Sequence, residues 1–261
     1  MTPQIEALMR AADPAALWAV GSADAVHAAH TGHPDGWDTP LDATALTAVL
    51  ALWPVIGGLV AQGELTLHTP LTAYGPAASA GLPGGTTAHH LLTHGDGPPA
   101  LAALTRLAEH LAGTPLADHA RTRVWRPLAM HGTRFAEGTL HTSPADLARF
   151  LRHLLSTADR PVARAWTAES LRIRTGELTP SRGLLWHPAP GGVWTHHPPS
   201  GPGPSVWISP RLGRWALLVP GPAHRPADAS PTGSAAPLRT VFREAAFGPV
   251  PARAARGVDV P

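Results

Sequence analysis

The residues of this chain that could do chemistry are mainly histidines, because the 261-residue sequence contains sixteen histidines but no lysine and no cysteine. All other basic side chains are arginine, which stays protonated and is a poor general base. The lack of cysteine excludes disulfides and thiolate metal sites. His90 and His94 stand at i and i+4, a spacing that suits two ligands on one helical face. Asp96 is the only carboxylate near them, so the sequence does not complete a metal site.

The element that must position such residues is a buried helix within residues 39–65. Its apolar residues recur at helical spacing, and Gly63 follows where a C-terminal stop is expected. These apolar residues are Leu46, Val49, Leu50, Leu52, Trp53, Ile56, Leu59 and Val60.

Short motifs flank this helix and continue downstream in one order. Residues 39–44 read Thr-Pro-Leu-Asp-Ala-Thr, and residues 63–67 read Gly-Glu-Leu-Thr-Leu. Five further motifs lie at residues 87–94, 125–130, 142–150, 182–186 and 203–210. Together they resemble the serine β-lactamase and penicillin-binding-protein superfamily, especially its class C-like esterase branch. The resemblance implies an α/β fold in which an antiparallel sheet is flanked by helices.

The catalytic residues of that family are missing at the matching positions. Its helix begins with Ser-x-x-Lys, in which the serine attacks an acyl carbon and the lysine helps to take its proton. The flanking motifs place this pair on Ala45 and Ala48, and no other register recovers a lysine. The family's Tyr-x-Asn motif falls near residues 96–98, whereas the only tyrosine is Tyr74. The resemblance therefore predicts that acyl-serine chemistry has been lost.

The family's last motif, Lys/His-Thr/Ser-Gly, falls on Pro198-Pro199-Ser200, with His197 one residue early. Proline has no N–H to contribute to an oxyanion hole, so this motif is degraded too. His197 and Asp96 could still act as an acid/base pair in the vacated cleft, with Ser200 beside them. The alternative is that they are exposed polar residues of loops.

The sequence also suggests how a ligand would be held. Compared with the family, the chain is shorter between His94 and residue 100 and between residues 135 and 142. A smaller helical lobe and a more open cleft are therefore expected. Most of the nine tryptophans should pack in the core, but some could meet an apolar or aromatic ligand. The predicted ligand contacts are Thr47, Trp53, His94 and Trp207.

A single domain of two lobes is predicted, with an α/β lobe at about 1–44 and 165–248 and a helical lobe at about 45–164. A hairpin is expected at 17–20 and 25–27, and helices at 101–112, 144–155 and 237–246. Strands are expected at 184–186, 192–195, 205–208 and 215–219. Residues 249–261 are predicted to be a disordered tail.

Composition excludes several classes of partner. The net charge is only +2, and no run of arginines with aromatic residues suggests nucleic-acid binding. No segment resembles a signal peptide or a membrane span, so no membrane association and a cytoplasmic location are expected. The residues that resemble His90 and His94 in the family bind no metal, and neither a metal nor another cofactor is predicted.

Two classes of function remain open. The first is a repurposed protein that binds a small metabolite, or converts it by cyclisation, isomerisation or elimination. The second is a non-catalytic pseudoenzyme that acts in binding or scaffolding. Residual hydrolysis through Thr44, Thr47 or Ser200 is a weaker third alternative, because none of them has an evident base beside it.

Overall fold

A computed structural model describes residues 2–32, 34–94, 97–176, 180–198, 203–222 and 235–248. In these ranges the chain is an α/β protein, with helices packed around antiparallel sheets, as predicted. The helices are α1 (Thr2–Ala12), α2 (Trp53–Ala61), α3 (Pro76–Ser79), α4 (Ala88–His94), α5 (Pro98–Ala112), α6 (Leu116–Ala120), α7 (Pro144–Leu155), α8 (Arg164–Ser170) and α9 (Ala236–Phe247).

The main sheet has six strands in the order β2-β1-β9-β8-β7-β6, and each neighbouring pair is antiparallel. The N-terminal hairpin therefore joins the C-terminal strands through the β1–β9 pair. A second sheet has the order β3-β5-β4. The strands are β1 (Leu17–Gly21), β2 (Val26–His30), β3 (Leu41–Asp42), β4 (Arg134–Ala136), β5 (Thr139–Thr142), β6 (His187–Ala189), β7 (Val193–His196), β8 (Ser205–Ser209) and β9 (Arg214–Val219).

Alternation along the central strands divides the core between the two faces of the main sheet. On β9, Trp215 and Leu217 belong to the larger cluster, which is built on the helices between β1 and β6. Ala216 and Leu218 point the other way, into a smaller cluster formed with α1 and α9. Successive side chains of a strand point to opposite faces, so a strand buried on both faces is apolar throughout.

The central helical segment is irregular at its start, and Pro54 leaves one of its backbone carbonyls without the usual helical donor. A 3₁₀ turn (Thr44–Leu46) and a π-helical turn (Ala48–Leu52) precede α2. Proline has no N–H for the carbonyl four residues earlier, and its ring crowds that carbonyl. The affected carbonyl, that of Leu50, accepts a 2.8 Å hydrogen bond from the indole of Trp125 instead. The buried backbone oxygen is therefore satisfied from another helix.

One predicted strand is wrong, because residues 184–186 form a turn. Leu185 has a positive φ of 61°, and the N–H of Gly183 donates to the carbonyl of Trp186. The N–H groups of Leu184 and Leu185 donate to the carbonyls of Ser170 and Leu92, outside the sheet. The apolar run is buried by helices on its flanks, and the strand begins only at His187.

The remaining predicted elements are present, with small shifts at their ends. The hairpin, the three helices and the other three strands are confirmed. The helix α1 was not anticipated; its Ile5 and Met9 are buried against the main sheet. The predicted tail lies outside the described residues, and the two-lobe division stays a prediction. None of the helices in the described ranges has the length and apolar character needed to cross a membrane.

Candidate functional site

A cavity of about 470 Å³ opens where the 3₁₀ and π-helical turns before α2 meet the ends of α4 and β7. Its walls come from three parts of the chain that are far apart in sequence. The apolar residues that line it are Ala45, Ala48, Leu92, Leu101, Pro180, Gly183, Leu185, Trp186 and Pro198. The polar ones are Thr44, Thr47, Thr93, Arg182, His187, His196 and His197.

The central helical segment presents methyl groups to this cavity. Ala45 is half-buried and Ala48 is buried, and both line it. Ala45 is also close to the segment that enters β8, since a Cβ added to Gly203 would lie 3.2 Å from the Ala45 Cβ. Neither alanine can act as a nucleophile or carry a proton.

The hydroxyl groups beside these alanines are partly engaged elsewhere. The Thr44 hydroxyl accepts a hydrogen bond from the N–H of Leu140, at 3.3 Å. The Thr93 hydroxyl is buried and donates to the carbonyl of His89, at 2.7 Å. Among the described residues, neither hydroxyl is hydrogen-bonded to an imidazole ring or a carboxylate group that would activate it.

His197 presents a lone pair in the same region. Its Nδ1 lies 2.8 Å from the carbonyl oxygen of Pro198, which can only accept, so Nδ1 carries the proton and Nε2 is free to accept one. Burial, the largest cause, and the positive charge of Arg239 lower the pKa of His197, although the bond to Pro198 opposes them. The imidazole is therefore neutral at neutral pH.

His187 and His196 lie beside His197, and these three residues form a histidine wall of the cavity. The ring centroid of His187 lies 6.0 Å from that of His196 and 6.4 Å from that of His197. The Nδ1–H of His196 donates to the carbonyl of Leu185 at 2.8 Å, and Arg182 lies 3.3 Å from Nδ1 of His187. The wall can therefore donate and accept hydrogen bonds and exchange protons. Within the described ranges, no group of three or more His, Asp or Glu side chains could hold a metal ion.

The turn between α8 and β6 shapes the floor of the cavity. Leu185 is held in its left-handed conformation from two sides, by the carbonyl of Leu92 and by the ring of His196. A bulky residue with positive φ is strained and persists only where surrounding contacts fix it. The buried indole N–H of Trp186 has no acceptor among the described residues. Through Leu185, this turn therefore links α4 to His196 of the histidine wall.

Comparison with solved structures identifies the architecture. The β-lactamase from Mycobacterium bovis matches with a TM-score of 0.62 and 18% identity, over 82% of this chain and 91% of that chain. A D-stereospecific amidohydrolase from Streptomyces sp. matches with a TM-score of 0.65 and 15% identity, over 85% and 94% of the two chains. A class C β-lactamase from Rhodobacter sphaeroides matches with a TM-score of 0.64 and 13% identity, over 92% and 96%. The chain has the serine β-lactamase and penicillin-binding-protein fold. No family model and no curated protein matches the sequence.

Within this β-lactamase-like fold, the predicted site residues are dispersed. Thr47 and His197 line the cavity, together with Ala45 and Ala48. His94 is exposed at the end of α4 and is not part of the lining. Asp96 and Ser200 lie outside the described residues.

The two tryptophans predicted as ligand contacts are buried elsewhere. Trp53 is fully buried in the larger core cluster, where its indole N–H donates to the hydroxyl of Ser170 at 2.8 Å. Trp207 packs against Phe242 in the smaller cluster, on the other face of the main sheet. Their helical and strand periodicity marks them as core residues, and neither lines the cavity.

Sequence reasoning missed several residues of the lining, namely Arg182, His187, His196 and Trp186. Arg182 and Trp186 lie in one of the recognised motifs, which was used only as a landmark. The rings of His187 and His196 lie 6.0 Å apart at the end of the β6–β7 pair, although the strand register pairs His187 with Thr195. The turn at residues 184–186, which the apolar run does not predict, sets this juxtaposition.

Proposed function

We propose that this protein binds a small, largely apolar molecule in the cavity beside Ala45 and Ala48, and that it does not hydrolyse it through an acyl-serine. The observation that carries the proposal is that these two methyl groups line the cavity where the family resemblance places a nucleophile and its base. The volume, about 470 Å³, suits a small organic ligand, since such pockets span roughly 300–1,000 Å³.

The histidine wall favours a non-hydrolytic conversion over simple storage. His197 is neutral, partly buried and has Nε2 available, which are the properties of a residue that takes a proton from a bound molecule. Cyclisation, isomerisation and elimination can each proceed by such a proton transfer, and none of them needs a covalent serine adduct. A binding protein without catalysis is the alternative, and it requires only the shape and polarity of the cavity.

The first test is chemical and uses the unmodified protein. We expect no turnover of a chromogenic β-lactam or a short-chain aryl ester, and no mass increase of the intact protein after incubation. An acyl adduct would contradict the proposal, and peptide mapping would then identify the nucleophile.

The second test asks whether the cavity binds ligands. A panel of small aromatic acids and amides should raise the melting temperature of the protein, and the shift should be lost in Ala48→Leu and in Thr47→Leu, which fill the cavity. Ala102→Leu, on the exposed side of α5, is the matched control and should retain the shift. Shifts that survive both filling variants would place binding elsewhere and refute the proposal.

Once a ligand is known, His197→Gln separates catalysis from binding. If the protein converts its ligand through His197, this variant should lose about 10²–10⁴-fold in rate, the usual contribution of general acid–base catalysis. Its affinity should change far less. Conversion that continues at the parent rate would exclude His197 as the proton carrier.

A further inference from the structure

A second cavity, of about 660 Å³, lies along another part of α2 and shares no residue with the first. Pro54, Val55, Gly58 and Gln62 line it from one side of that helix. The other walls are the segment from His119 to Pro127 and residues 159–163, which precede α8. Its volume is again that of a small-molecule site.

Gly58 is the feature of this cavity that packing does not explain. The neighbouring Gly57 is required, because a Cβ added there would lie 2.3 Å from the indole of Trp166. A Cβ on Gly58 would meet only the side-chain amide of Gln62, at 3.8 Å. Glycine inside a helix destabilises it relative to alanine. Here it leaves the backbone of α2 bare at the floor of the cavity.

The charged side chains that line this cavity are predominantly positive. Arg123 and Arg160 are exposed on its walls, and in the described part of the chain neither forms an ion pair with a carboxylate. Asp159 is the one acidic residue of the lining, and its carboxylate accepts a hydrogen bond from the N–H of Arg164 at 2.8 Å. The charge of Arg123 also helps burial to lower the pKa of His119. The electrostatic potential here therefore favours an anion.

We propose that this second cavity is a binding site for a small anionic molecule whose carboxylate or phosphate group is held by Arg123 and Arg160. Guanidinium groups bind both anions through paired hydrogen bonds. The apolar part of the ligand lies over the partly exposed Pro161 and the bare backbone at Gly58. This site is independent of the cavity beside Ala45 and Ala48.

Calorimetric titration of the whole protein tests the site with three probes: inorganic phosphate, phenyl phosphate and benzoate, at constant ionic strength. We expect phenyl phosphate or benzoate to bind and to shift the NMR resonances of His119. The Arg123→Gln/Arg160→Gln variant should bind about tenfold more weakly or worse, since two charge-assisted hydrogen-bonding groups are removed. Arg134→Gln/Arg211→Gln, which removes the same charge from exposed positions elsewhere, should bind like the parent.

Variants at Gly58 test the apolar half of the site. Gly58→Leu should abolish binding of the phenyl probes, whereas Gly58→Ala should retain it because a methyl group fits there. Equal weakening by both arginine pairs, or binding by none of the probes, would overturn the proposal. Binding of inorganic phosphate alone would overturn the part that assigns an apolar body to the ligand.

Discussion

At the residue scale, Ala45 and Ala48 decide what the first cavity can do. They place two methyl groups where the family resemblance calls for a hydroxyl and an amine, and Gly203 and Pro198 lie close to Ala45. Leu185, which has a positive φ and accepts a hydrogen bond from His196, shapes the adjoining wall of the cavity. The cavity surface at these two positions is therefore apolar, which is the basis of the proposed non-hydrolytic function.

Ala45→Ser should not restore acyl transfer. A serine at this position still has alanine, not lysine, at position 48, so it lacks the ~10²–10⁴-fold general-base assistance that the family's lysine would contribute. Hydrolysis of a short-chain aryl ester should remain at the parent's background, and intact mass spectrometry should detect no adduct.

The double variant Ala45→Ser/Ala48→Lys is the comparison for this prediction. If only the missing base prevents acylation, the double variant forms an adduct and the single variant does not. Acylation of the single variant would show that another group already serves as base in this cavity.

At the scale of the element, α2 contains two adjacent glycines with opposite environments. Gly57 is closed by Trp166, whose indole N–H also donates to the carbonyl of Trp53 at 3.1 Å. A Cβ on Gly58 would meet only the side-chain amide of Gln62, at 3.8 Å, an ordinary contact distance. The effect of an added methyl group on stability can therefore be compared at two adjacent positions of one helix.

Gly57→Ala should lower the free energy of unfolding by about 1–3 kcal/mol, the usual cost of forcing an extra methyl group into a packed core. Gly58→Ala should raise it by about 0.4–1 kcal/mol, because alanine restricts the unfolded chain and fits the helix. Urea denaturation followed by tryptophan fluorescence measures both. A higher urea midpoint for Gly57→Ala than for Gly58→Ala would show that Trp166 moves to make room for the added methyl group.

At the scale of the whole molecule, the basic residues are arginine and histidine only, and burial changes how several histidines titrate. His89, His119, His153 and His197 each have a lowered pKa, and burial is the largest cause for each. A lowered pKa means that the folded state binds a proton less readily than the unfolded state. Acid therefore favours unfolding.

Stability should accordingly be fully present above a pH of about 6.5, the ordinary pKa of histidine, and should decline as the pH falls through the lowered values. His153 is the most informative of the four, since it is buried and hydrogen-bonded to the backbone of Val162. Urea midpoints measured from pH 8 to pH 5 should show a shallower decline in His153→Gln than in the parent. His27→Gln, at an exposed position, is the control and should keep the parent's decline.

Elements with local sequence signals could be predicted from the chain alone. The helix at residues 144–155 agrees with α7 at both ends, because Ser143 caps its first turn and apolar residues recur along one face. The central helix, the N-terminal hairpin and three strands also follow from the spacing of apolar residues and from the glycine and proline residues in the turns between elements. The motif resemblance predicts the fold, and it predicts that Ala45 and Ala48 lie on one face of the same helical segment.

The side chains that meet at the cavity could not be predicted in the same way. Periodicity shows that Trp53 and Trp207 are buried, but not against what, and each packs in a core cluster away from the cavity. The turn at Leu185 exists because its N–H groups find the carbonyls of Ser170 and Leu92, which are distant in sequence. That turn brings Arg182, His187 and His196 to one wall. Contacts between distant segments set such a wall, and no local pattern in the chain records them.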